Sequence, residues 1–188
     1  LKEEFKNGGN KSMKIKLIIW VVLAVIVSFN FLNNPQTKAN THDEKQIEEF
    51  VKGNNYMPVR EAIALFEKKV NKKVSLPTSL PFEPTHRYGK VTDNGDLQIH
   101  YMNVSNDHHE DFIFYVMYPE SEIDQHITQE DKVITLDDGN KAYFRVNSTH
   151  LRSLAFKKNG WAYLIGGNPK QNAKYNVDGL IEIANSIK

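Results

Sequence analysis

Hydrophobic positions fall into three regimes along the chain. Leu17 to Val27 is an unbroken apolar run (LIIWVVLAVIV), carried on without charge through Ser28-Phe29-Asn30-Phe31-Leu32. Asn40 to Asn55 is polar, and Asp43 to Val51 makes a weak helix whose large apolar residues are Ile47, Phe50 and Val51. At Val59, Ile63, Phe66 and Val70 the spacing becomes four, three and four, which predicts a helix over residues 58–70 with Pro58 in its first turn. The proline-rich stretch Val74 to Pro84 excludes a helix or a central strand, although Val74 and Leu76 permit a short edge strand before Pro77. Leu80 and Phe82 are placed to plug one end of a core.

From residue 85 the period is two. Arg87 to Val91 reads as a strand, followed by the turn Asp93-Asn94-Gly95-Asp96. Leu97, Ile99 and Tyr101 then alternate with Gln98, His100 and Met102, as in a half-buried strand. Asn103 to Glu110 reads as a polar loop. Asp111 to Tyr118 is apolar or aromatic on both faces after its first residue, which predicts a central strand. Further hairpins turn at Asp137-Asp138-Gly139-Asn140 and Lys157-Lys158-Asn159-Gly160, and Gly166-Gly167-Asn168-Pro169 closes the sheet. Asn176 is a candidate cap for a last helix with the stripe Val177, Leu180, Ala184 and Ile187. The fold class is α+β: a largely antiparallel sheet of six or seven strands, one or two N-terminal helices, and a C-terminal helix packed on the sheet. Tight hairpins exclude a βαβ nucleotide fold, whose crossovers need about a dozen residues.

Charge divides the chain near residue 39. Residues 1–39 carry six lysines against two acids, while residues 40–188 carry eighteen basic and twenty-one acidic side chains. Lys11, Lys14 and Lys16 precede the apolar run, and Thr37-Lys38-Ala39 follows it with small residues suited to signal cleavage. Two outcomes fit: export with cleavage near Ala39, or a transmembrane helix anchoring the protein by residues 17–32. Met13 is the expected start of this leader, and residues 1–12 are a translated upstream segment or a short cytoplasmic tail. The remaining boundaries are 13–39 signal peptide or anchor, 40–56 polar linker with weak helix, and 57–188 extracytoplasmic domain.

The 188 residues include no cysteine, which excludes disulfides, thiol nucleophiles and cysteine-ligated metals. A net charge of +1 argues against a nucleic-acid partner. Nucleotide-binding, zinc-protease and serine-hydrolase signatures do not occur, and Gly166-Gly167-Asn168-Pro169 lacks the lysine of a phosphate loop. Asn106-Asp107-His108-His109-Glu110-Asp111 gathers carboxylates and imidazoles, but its spacing matches no calcium loop or zinc helix, so it reads as a solvated turn. His86, His100, His126 and His150 are scattered. Lys68, Lys69, Lys72 and Lys73 form a basic patch that suits a helix end or an anionic surface. Trp161, Tyr163, Tyr143, Phe144 and Tyr115 have the spacing of core residues, with a groove as the alternative. No catalytic, cofactor-binding or metal residue is nominated, and no cofactor is expected.

Val74-Ser75-Leu76-Pro77 with Leu80-Pro81-Phe82, the hairpin Leu154-Ala155-Phe156 to Trp161-Ala162-Tyr163-Leu164, and the ending Leu180-Ile181 with Ile183-Ala184 and Ser186-Ile187 carry a resemblance. Over about residues 70–188 the chain resembles an uncharacterised extracytoplasmic domain family of Bacillus-type bacteria, sometimes found in anti-sigma-factor-like membrane proteins. The resemblance implies an exported α+β domain without assigned catalytic residues. At most sixteen residues precede the apolar run, so a complete anti-sigma factor with a cytoplasmic part is not expected. The functional expectation is a non-catalytic interaction or sensory domain whose partner is the membrane or cell-envelope surface, an envelope protein or a lipid. The alternatives are a carrier of lipid or another apolar ligand on a curved sheet and, third, a wall or lipid hydrolase.

Overall fold

Turns rich in Asn, Asp and Gly reverse the chain repeatedly, and each reversal lays the next strand antiparallel to the last. The computed structural model describes residues 39–105, 108–145 and 151–188. In chain order the elements are α1 (Ala39–Gly53), β1 (Met57–Pro58), α2 (Val59–Val70), β2 (His86–Val91), β3 (Leu97–Ser105) and β4 (His108–Met117). A 3-10 turn (Glu120–Gln125) leads to β5 (Lys132–Thr135), β6 (Lys141–Arg145), β7 (Arg152–Lys158) and β8 (Trp161–Gly167). A second 3-10 turn (Ala173–Tyr175) enters α3 (Val177–Asn185). The eight strands form one antiparallel sheet in the order β1-β2-β3-β4-β8-β7-β6-β5. The fold is therefore α+β, with two N-terminal helices and one C-terminal helix on the sheet. The spans read as strands from the sequence form β2 to β8, and the two residues of β1 add the eighth. Val74 to Leu76 is not a strand: Pro77 makes only an isolated bridge to Ile187. At the β7–β8 turn, Asn159 and Gly160 both take positive φ (55° and 70°), the geometry that matches a two-residue turn to strand twist.

One face of the sheet carries the main core. Leu97 and Ile99 from β3, Phe112 and Phe114 from β4, and Trp161 and Tyr163 from β8 are all buried there. α2 covers this face with Ala62 and Phe66, and α3 with Leu180, Ile183 and Ala184. The approach is close at β2, where a Cβ on Gly89 would stand 2.7 Å from that of Ala62. Between α2 and β2 the proline-rich segment works as a strap. Trp161 Nε1 donates to the Lys73 carbonyl at 3.1 Å, and the Thr78 and Ser79 amides donate to Ser186 Oγ at 3.2 and 3.1 Å. Leu76, Leu80 and Phe82 pack against the core beneath it.

Asn176 caps α3 as its sequence position predicts, its Oδ1 accepting from the Gly179 amide at 2.9 Å. Asn176→Ala removes that acceptor and should cost about 1 kcal/mol of stability, read as a lower denaturant midpoint with an unchanged slope.

The opposite face departs from the sequence reading. Gln98, His100 and Met102, expected on a half-solvated strand, are all buried. Two elements cover them and their neighbours. α1 lies over the β3 side, with Ile47 buried and the Phe50 ring 5.3 Å from that of His100. On the β8 side, Ile123 of the first 3-10 turn packs against Met117, Ala155 and Ala162.

The expectations of a transmembrane helix and of localisation by a membrane anchor are corrected here. Among the described residues no helix is long and apolar enough to cross a membrane: α1, α2 and α3 have 15, 12 and 9 residues, against about 20 apolar residues for a span. The apolar run at residues 17–32, the Ala39 cleavage expectation up to residue 38, and the upstream segment 1–12 lie outside the described residues.

Candidate functional site

The chemistry of the domain concentrates on β3 and β4, at the polar end of a long hairpin. Residues of one parity on β4 share the α1 face with residues of the other parity on β3. The register pairs Gln98 with Tyr115, His100 with Ile113 and Met102 with Asp111. Of the cluster read as a solvated turn, Asn106 and Asp107 lie outside the described residues, while His109, Glu110 and Asp111 belong to β4. Glu110 and Asp111 are both buried, which corrects the solvated reading. The loop read over residues 103–110 is mostly strand, because β3 runs to Ser105 and β4 starts at His108.

Alternation sends the two carboxylates to opposite faces. Glu110 points to the α3 side, where Asn172 Nδ2 donates to one oxygen at 2.6 Å and Asn103 Nδ2 to the other at 3.1 Å. Asp111 lies on the α1 side between two imidazoles. His100 Nε2 is 2.7 Å from Oδ1, His109 Nε2 is 2.6 Å from Oδ2, and Gln171 Nε2 donates to Oδ2 at 3.3 Å. The turn after β8 places these partners: the Gln171 and Asn172 amides both donate to the Asn168 carbonyl, which aims the first side chain at Asp111 and the second at Glu110. The Tyr175 hydroxyl donates to the Asp111 carbonyl at 2.6 Å.

Burial alone would push the Asp111 pKa up. Hydrogen bonds from His100 and His109, reinforced by their charge, outweigh it and hold the carboxyl below the ordinary value of 3.8. Asp111 is thus a fixed negative charge beneath α1. Its field reaches Tyr56, whose phenol is pushed up by burial first and then by Tyr115 and Asp111. Burial, with Asp96 adding to it, likewise raises Tyr115. Aromatic surface closes the site, with the Phe50 ring stacked on Tyr56 at 5.4 Å and Tyr56 6.0 Å from the His100 ring.

Buried polar atoms here with no hydrogen-bond partner among the described residues include Gln46 Oε1, Gln98 Oε1, His100 Nδ1, Tyr115 Oη and Gln171 Oε1. Gln98 and His100 retain only 3% and 4% of their exposure. Gln46 precedes Phe50 by one helical turn, so it projects from the face of α1 that lies on His100. Among the described residues no group of three His, Asp or Glu side chains is arranged to hold a metal ion. The two imidazoles meet separate oxygens of one carboxylate and do not converge on a common point.

The other sequence candidates are dispersed or occupied. Lys72 staples the end of α2 to the β7–β8 turn, donating to the Asn159 and Gly160 carbonyls at 3.0 and 2.8 Å with its ammonium 4.6 Å from the Trp161 ring centroid. Lys73 pairs with Glu67 at 2.6 Å. Trp161, Tyr163 and Phe144 belong to the main core, whereas Tyr143 and Tyr115 are on the opposite face, so these five line no common groove. His86 faces Thr85 Oγ1 at 2.8 Å, the His126 carbonyl accepts from Arg145, and His150 lies outside the described residues. Among the described residues, His100 alone of the scattered histidines enters the site.

No protein-family model, curated protein or solved structure matches the chain.

Proposed function

We propose that this chain is a non-catalytic binding domain of the sensory type, which recognises a small polar ligand on the α1 side of its sheet. One observation carries the reading: Gln98 and His100, each more than nine-tenths buried, leave hydrogen-bonding capacity unused on the same face. Such capacity is costly to bury, at about 1–3 kcal/mol per group, and a ligand that satisfies it recovers that cost on binding. The ionisation of Asp111 favours recognition over catalysis. A general acid or base works with a pKa near the operating pH, while this carboxyl is held below 3.8 by two imidazoles. The apolar-carrier alternative gains no comparable support. A surface depression of about 360 Å³ at the end of α2 is lined by Ala64, Glu67, Lys68, Asn71, Lys72 and Lys73, a charged rim and not an apolar concavity.

The test is an amide-resonance titration of the isotopically labelled full chain with four separate probes: methylammonium, glycerol, glucose and acetate. At least one probe should move the resonances of residues 98–102 together with those of residues 46–50. Shifts confined to other elements, or none with any probe, would overturn the reading.

A further inference from the structure

The two edges of the sheet are guarded differently. At one end β1 is only two residues long, and one of them is Pro58, which has no N–H to offer. At the other end β5 carries Val133, at 56% the most exposed large apolar side chain among the described residues. The turn after β5 settles which way its backbone points. The Leu136 amide donates to the Asn140 carbonyl at 2.9 Å, so hydrogen-bonded pairs continue at Ile134–Ala142 and Lys132–Phe144. Val133 and Thr135 are therefore the residues whose N–H and C=O groups point away from β6, to the open edge. Among the described residues no hydrogen bond reaches them there. The edge is closed on either side of them, because the Asp131 amide donates to the Thr128 carbonyl and the Asp137 amide to Asn185 Oδ1, both at 3.2 Å.

This open stretch is complementary to itself. When two copies meet antiparallel, centred on Ile134, Val133 of each lies opposite Thr135 of the other, and every outward N–H meets an outward C=O. The same register lays Lys132 of each copy beside Asp137 of the other, and both residues are exposed. Positive charge thus meets negative charge at both ends of the pairing. Asp131 falls opposite Asp137, but its carboxylate is already compensated by Arg145 at 2.7 Å. A parallel approach would instead set Lys132 against Lys132.

We infer that β5 is a self-association edge, which pairs antiparallel with β5 of a second copy about a two-fold axis at Ile134, so that one sheet runs through both molecules. The pairing covers Val133, which shares the face of Tyr143, with Thr135 of the second copy. It is independent of the ligand reading above, whose residues are on α1, β3 and β4.

The absence of cysteine lets the register be tested in the full chain. Residues facing each other at a non-bonded antiparallel pair stand about 4.5 Å apart at Cα, inside the range of about 4.4–6.8 Å that a disulfide spans. Ile134→Cys should therefore give a covalent dimer under copper-catalysed air oxidation. Lys141→Cys, exposed but one strand inward on β6, should not. Sedimentation of the wild-type chain over a concentration series should show a monomer–dimer equilibrium. Val133→Asp sets two carboxylates diagonally across the pair and should weaken it about tenfold. Thr135→Pro removes an outward N–H without touching a β5–β6 hydrogen bond, and should act in the same direction. Lys132→Glu or Asp137→Lys alone should weaken the dimer and the two together restore it, a rescue that only a second copy explains. A chain that stays monomeric, with Ile134→Cys crosslinking no more than Lys141→Cys, would overturn the inference. A dimer indifferent to Val133→Asp and Thr135→Pro would place the contact elsewhere and overturn it equally.

Discussion

Asp111→Ala should destabilise the domain by about 3–5 kcal/mol, enough to remove much of the stability of a typical small domain. Asp111 accepts from His100, His109 and Gln171, and His100 is itself buried, so truncation strands donors that water reaches poorly. The cost is mainly that of the partners left unpaired. Replacing His100 and Asp111 together by Phe and Leu should therefore recover a large part of the loss, because neither residue then holds an unsatisfied polar group. Chemical denaturation of the two variants and of wild type provides the comparison. A double variant as unstable as Asp111→Ala would show that packing, and not the polar network, sets the penalty.

The same residue fixes a pH dependence whose sign follows from its shift. The folded-state pKa of Asp111 is below its ordinary value of 3.8, so the folded form holds the proton less tightly than the unfolded chain. Its contribution to stability is complete above 3.8 and is lost as the pH falls through the lower, folded value. The stability gap between wild type and Asp111→Ala should narrow as the pH falls through the acid range. A gap that stays equally wide down to strongly acid pH would overturn this sign.

Local periodicity made the scaffold legible, but not what covers it. α2 and α3 were readable because Val59, Ile63 and Phe66, or Leu180 and Ala184, recur at helical spacing on a strongly apolar face. Hairpins were readable because Asn-Gly and Asp-Gly pairs permit the positive φ found at Gly95, Gly139 and Gly160. Burial of the polar row Gln98, His100 and Met102 was not readable. Alternation tells which residues share a face, while coverage depends on an element elsewhere in the chain. Here that element is α1, whose few apolar residues made it read as a short, weak helix over residues 43–51 and not the 15-residue cover at Ala39–Gly53. A signal did exist in β4. Ile113, Tyr115 and Met117 make its second face apolar, so something must lie over that face, and Asp111 shares it. Following this parity across the hairpin leads to His100 and Gln98.

Removing residues 176–188 should unfold the domain outright. α3 inserts Leu180, Ile183 and Ala184 into the main core, with Ile187 beyond its end, and all four are buried. At about 25 cal/mol per Å² of apolar surface, exposing these side chains and the sheet beneath them consumes a margin of only about 5–15 kcal/mol. The loss also spreads beyond the helix. Ser186 Oγ accepts from the Thr78 and Ser79 amides, the Ser186 carbonyl accepts from Thr78 Oγ1 at 3.0 Å, and Ile187 bridges Pro77. Without them the proline-rich strap loses its anchor at one end, and Leu76, Leu80 and Phe82 lose their hold on the core. The truncated chain should show no cooperative thermal transition and should bind a dye specific for exposed apolar surface. A truncated chain that melts cooperatively near the wild-type temperature would mean that α2 and the strap close this face without α3.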